Sequence, residues 1–151
     1  GNKSREDSYT YNPETGKQTS QVSITYNADG TNKSKSVYDQ DLPKDGTNTT
    51  QENFTYDSTN NKWVSAYKSS YTYDTTKERT ADSTSEWFNA DGTKRYEQKS
   101  TYDTTTGRKT TSRTTNNYTY DENGTLTGYT YTETSYDHDG NTTGTVNGQW
   151  P

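Results

Sequence analysis

The single histidine of the chain, His138, stands in YDHDGN at residues 136–141. Any base-assisted nucleophile or histidine–metal centre would have to use it. Asp137, Asp139 and Asn141 alternate around it like the first half of a calcium loop. An EF-hand loop needs a bidentate Glu at its twelfth position. Counted from Asp137 that position is Gly148, which offers no side chain. The simpler reading is an exposed hairpin turn in which Asx side chains bond to the backbone. No HExxH, cysteine cluster or nucleophile elbow is present. The carboxylates are scattered, and a glycosidase pair would need a cleft. No catalytic residue, no metal ligand and no cofactor is therefore expected, and the chain is read as a non-enzyme.

The aromatic residues are the other candidate chemistry. The chain has 15 Tyr and three Trp, at positions 63, 87 and 150. In KWVSAYKSSYTY (62–73) an alternating pattern places Trp63, Ser65, Tyr67, Ser69, Tyr71 and Tyr73 on one face of a strand. Val64, Ala66, Lys68, Ser70 and Thr72 then fall on the other. Rings two and four residues apart lie about 7 and 13 Å from each other. Flat aromatic rings at such steps can stack on sugar rings. Trp63, Tyr67 and Tyr71 are accordingly the expected ligand-binding residues. The alternative is that the rings simply cover the sheet.

Strands must position these groups, because no helical period occurs. Hydrophobic residues are only 21% of the 151, with nine Leu, Ile, Val and Phe in total. Such a composition borders on disorder. Against that stand the 13% aromatic content and a Thr content of roughly a fifth, both of which favour strands.

An aromatic-Asx pair recurs at Tyr11, Tyr26, Tyr38, Tyr56, Tyr73, Phe88, Tyr102, Tyr120 and Tyr136. The spacings are 15, 12, 18, 17, 15, 14, 18 and 16, a period of about 16. The Asx opens a turn and a Gly or Asn usually closes it, as in NADG (27–30, 89–92), DENG (121–124) and DHDG (137–140). Runs of strand-forming residues separate the turns. DQDLPKDG (39–46) is the longest connection and reads as a variable loop.

The expected architecture is one all-β domain over residues 1–151. It is an antiparallel meander of about ten long strands, a thin or single-layer sheet with a Tyr-rich face. A hairpin-stacked β-solenoid is the alternative. Tyr suits a thin sheet because its ring can be covered while its hydroxyl stays wet.

The net charge of −5 and pI near 4.9 disfavour nucleic acid. No apolar run approaches the roughly 20 residues of a membrane helix. The chain begins with Gly, as a secreted or surface-anchored protein with its leader removed would. Extracytoplasmic location is expected on that basis. An aromatic face of this size would be used for binding a glycan or surface protein, covered by curling, or paired in an oligomer.

YTYDENGTLTGYT (118–130) resembles the tyrosine-aspartate repeats of the Rhs and teneurin type, matching at Tyr118, Tyr120, Asp121, Gly124, Leu126 and Thr127. FTYDSTNNKW keeps Tyr56-Asp57 without the Gly and Leu. The chain also resembles small secreted Bacteroides-type β-repeat domains of unknown function. WFNADGTKRY is similar to aromatic hairpins of choline- and glucan-binding modules. These resemblances imply a surface scaffold or interaction module without catalysis, or a carbohydrate-binding module using its aromatic face.

Overall fold

A computed structural model describes residues 3–40 and 46–151. Ten strands follow in order: β1 Arg5–Tyr11, β2 Gln18–Tyr26, β3 Asn32–Asp39, β4 Gly46–Asp57, β5 Lys62–Asp74, β6 Arg79–Phe88, β7 Lys94–Tyr102, β8 Lys109–Tyr120, β9 Leu126–Tyr136 and β10 Thr142–Trp150. Every strand pairs antiparallel with its sequence neighbours, so the sheet order is the chain order. This is the expected meander and not the stacked solenoid. Most of the expected variable loop DQDLPKDG lies outside the described residues.

The sheet is a single layer. Its accessible surface is 9562 Å², against about 7,700 Å² for a compact monomer of this mass. Val64 is the only buried hydrophobic residue among those described. Cohesion comes from cross-strand pairs, each worth about 0.2–1 kcal/mol. Hydroxyl pairs such as Thr25–Ser34 at 2.6 Å and Thr47–Thr72 at 3.1 Å recur along the ladders.

Two turn lengths connect the strands in the eight described hairpins, β1–β2, β2–β3 and β4–β5 to β9–β10. In the shorter, the amide of the first residue bonds to the carbonyl of the fifth, as in Asn27–Thr31, Asn89–Thr93, Asp121–Thr125 and Asp137–Asn141. In the longer, Asn12 bonds to Lys17 and Asp103 to Arg108. The opening Asx accepts backbone N–H groups two and three residues on, as Asn12, Asp57, Asp74 and Asp103 do. The fifth position of the longer turn is left-handed. Gly16 and Gly107 fill it in two copies, but Asn61 and Glu78 do so in the others, both at φ 52°.

Each of these eight hairpins carries a register shift with an extra residue on its second strand, and two carry a further one on the first strand, at Thr50 of β4 and at Asn117–Tyr118 of β8, where Asn117 is left-handed at φ 52°. In seven of them the extra residue lies two positions after the turn, as Lys33, Ala81, Arg95 and Thr110 do. In the β4–β5 hairpin it comes later, at Ala66. An extra residue in one strand inverts the alternation of side chains relative to the partner. These bulges decide which side chains share a face.

A left-handed Glu is strained where a Gly is not. Glu78→Gly should therefore stabilise the protein by about 1 kcal/mol in urea titration. Gly107→Ala should destabilise it, since its φ of +75° is one that a residue with a Cβ adopts only at a cost.

The carboxyls of Asp29, Asp57, Asp91, Asp103 and Asp137 are all held below the usual range. Hydrogen bonds from Thr31, Asn60, Thr93, Thr105 and Asn141 respectively are the main cause. A depressed folded value stabilises the fold above the unfolded pKa of about 3.9, and the contribution disappears as pH falls through the folded values. Thermal melts should show a stable plateau above about pH 5 and a falling midpoint below about pH 4.

Candidate functional site

Residues opposed across an antiparallel ladder share a face, so the register assigns every strand residue. Starting at β5, Tyr67 opposes Trp87 and Trp87 opposes Tyr96. Tyr96 and Asn116 line one depression, and the row continues through Thr130 to Gln149. The next row reads Ser69, Ser85, Gln98, Thr114, Thr132, Asn147. The third reads Tyr71, Ser83, Ser100, Ser112, Thr134, Thr145. None of these side chains is charged. We call this the neutral face.

The opposite face holds the charges. Lys68 opposes Glu86, and Glu86 opposes Glu97. Lys99, Arg113 and Glu133 form another row, and Lys35 opposes Phe54. The facing pair Glu86 and Glu97 would repel. Lys94 Nζ resolves this by binding both, at 2.5 Å and 2.7 Å. Burial opposes its charge, but these two carboxylates outweigh burial and raise the Lys94 pKa. Arg113 spreads over the Tyr131 ring at 3.7 Å. Lys35 sits 4.1 Å above the Phe54 ring and 5.5 Å from that of Trp63. Among the described residues, ions on the neutral face lie at the β1 edge, at strand ends and at the bulges Lys33 and Arg95. At the β1 edge Arg5 binds Asp7 at 2.9 Å and Ser23 at 3.1 Å.

This assignment separates the three expected ligand residues. Trp63 does not share a face with Tyr67 and Tyr71, because Ala66 is a bulge. Phe54 opposes Ser65, whereas the adjacent Asn53 opposes Tyr67. Trp63 therefore lies on the charged face, edge-on to Tyr56 with centroids 5.0 Å apart. Tyr67 and Tyr71 remain together on the neutral face. Tyr71 meets Tyr73 at 6.2 Å and 87°, and its hydroxyl is buried without a hydrogen-bond partner. A Tyr-rich face exists over β5–β7, but a second aromatic set occupies the charged face. There Tyr118, Tyr129 and Trp150 form a chain of ring contacts at 5.7 and 5.5 Å.

Alternation within KWVSAYKSSYTY missed the ring that joins the neutral-face aromatics. Trp87 lies between Tyr67 at 5.1 Å and Tyr96 at 4.9 Å, tilted by 58° and 72°. The signal was present in WFNADGTKRY, since a tight NADG turn must bring Trp87 against the start of the next strand. All three rings are half-buried. Beside them, two shallow depressions of about 490 and 550 Å³ share Asn116 and Asn117 in their walls.

His138 is exposed in its turn, with Nε2 3.1 Å from Asp139 Oδ1. Asp137 Oδ1 accepts from the amides of Asp139 and Asn141, so this carboxylate serves the turn. Among the described residues no three His, Cys, Asp or Glu side chains come together as a metal cluster. Nor does any helix among them have the length and apolarity to cross a membrane.

No protein-family model and no curated protein matches the sequence. Among solved structures, the chain is similar to a crystal structure of a protein with unknown function from Bacteroides fragilis. The likeness covers 94% of this chain and 91% of that one, at 11% identity and a TM-score of 0.30. The architecture described above rests on this chain's own strand pairing.

The face assignment has a spectroscopic consequence. In a variant keeping only Trp87, Tyr67→Ala should shift the emission maximum, because the two rings touch. In a variant keeping only Trp63, the same substitution should leave the spectrum unchanged. Equal shifts in both would place Trp63 and Tyr67 on one face.

Proposed function

We propose that this chain is a non-catalytic interaction module of a bacterial cell surface, and that it works by presenting its neutral face to a partner outside the cytoplasm. The carrying observation is the segregation of charge. A chain with 25% charged residues keeps three full rows, from β5 to β10, free of any ion. A single-layer sheet needs charges for solubility on either face. Concentrating them on one side leaves the other with hydroxyls, amides and half-buried rings, which is a surface suited to contact. The resemblance of YTYDENGTLT to tyrosine-aspartate repeats supports a scaffold at the cell surface.

A matched pair of substitutions tests this reading. Thr114→Lys adds a charge to the centre of the neutral face, and Thr84→Lys adds one to the charged face beside Lys99. Adsorption of labelled protein to bacterial or host cell-surface material should fall at least tenfold for Thr114→Lys and stay near wild type for Thr84→Lys. Equal behaviour of the two variants, or no adsorption by wild type, would refute the proposal.

A further inference from the structure

From the row of Tyr67, Trp87, Tyr96, Asn116, Thr130 and Gln149 we infer a binding site for a neutral polysaccharide chain lying across the strands; this rests on the neutral face being the contact surface. The row crosses six strands, β5 to β10, and five inter-strand steps of about 4.8 Å give a track of about 24 Å. That length accommodates several sugar units of an extended chain, whereas no enclosed pocket is needed for a single one.

The chemistry changes along the track in the way a polysaccharide requires. At one end the contiguous rings of Tyr67, Trp87 and Tyr96 offer apolar surface to the C–H faces of sugars. Beyond Tyr96 the row turns to amides and hydroxyls. Thr130 Oγ1 donates to Asn116 Oδ1 at 2.8 Å and accepts from Asn117 Nδ2 at 2.9 Å, which holds both amides in place. In the adjoining row Thr132 fixes Asn147 in the same way, at 2.7 Å. These groups line the two adjoining depressions, so the polar part of the track is concave and continuous. Pre-ordered amides bind ligand hydroxyls with little loss of side-chain entropy.

Charge selects among polymers. No side chain of the row is charged, so an anionic glycan or a nucleic acid finds only Arg95 at the rim to pair with, and a charged protein segment would lose solvation with little compensation. A neutral polyhydroxylated chain meets neither cost. Arg95, at the rim of the first depression, is the one nearby cation and has planar N–H donors that suit hydroxyl oxygens as well as anions.

The test is affinity electrophoresis and sedimentation with insoluble or soluble neutral polysaccharides (β-glucan, xylan, mannan, starch) beside the anionic polymers heparin and pectate. Wild type should bind at least one neutral polymer, with affinity changing less than twofold between 50 and 500 mM salt. Trp87→Ala should weaken that binding at least tenfold, and Trp63→Ala should not. The double variant Asn116→Ala/Gln149→Ala, whose side chains are exposed, should weaken it severalfold while far-UV circular dichroism stays that of wild type, and covers the case in which Trp87→Ala misfolds. Binding to anionic polymers alone, salt-sensitive binding, or equal losses in Trp63→Ala and Trp87→Ala would overturn the inference. If no polysaccharide binds while adsorption to cell-surface material still depends on Thr114, the ligand assignment fails and the interaction-module reading stands.

Discussion

A sheet one layer thick has no interior, so each strand can be stabilised only by the strands beside it. That constraint accounts for the unusual composition. Leu or Ile on both faces would leave a sticky surface with nothing to cover it. Tyr and Thr instead pair across the ladder and keep an oxygen in water. The ring contacts follow the ladder: Tyr67 to Trp87 to Tyr96 on one face, Tyr118 to Tyr129 to Trp150 on the other. Stability of this kind is a sum over neighbours, as in other repeat proteins. The repeat is thus a physical requirement as well as a pattern.

The bulges turn this repetitive sheet into a two-faced one. A strand of ten residues with strict alternation would put the residues just after a turn on the same face as every second residue that follows. One extra residue near seven of the eight described turns, and at Ala66 in β5, breaks that link. The strand bodies can then sort Lys68, Glu86, Glu97, Lys99, Arg113 and Glu133 to one side. Ser, Thr, Gln, Asn and the rings of Tyr67, Tyr71, Trp87 and Tyr96 fall to the other. On the charged face opposite signs alternate or share a bridging cation, as Lys94 does for Glu86 and Glu97. The neutral face of β5 to β10 has no such ion pairs; its hydroxyls and amides bond to one another, as Thr130 does with Asn116 and Asn117 and Thr132 with Asn147.

The sequence alone determined the all-β class and the turns that bound about ten strands, while the choice of a chain-order meander over a stacked solenoid came from the strand pairing. Aromatic-Asx pairs at a period of about 16 mark the turns. A strand between two tight turns can only pair antiparallel with its neighbours. The positions of Asp57, Asp103 and Asp121 as turn acceptors were equally readable, because an Asx turn is a local interaction. Face membership was decided by tertiary structure. Alternation predicts Trp63 beside Tyr67, but the Ala66 bulge separates them. Trp87 meets Tyr67 only through the register of a hairpin partner. Nothing in KWVSAYKSSYTY marks Ala66 as the extra residue. A bulge is a property of two strands together, set by how their hydrogen-bond ladders meet, and a single residue of slip moves every later side chain to the other side.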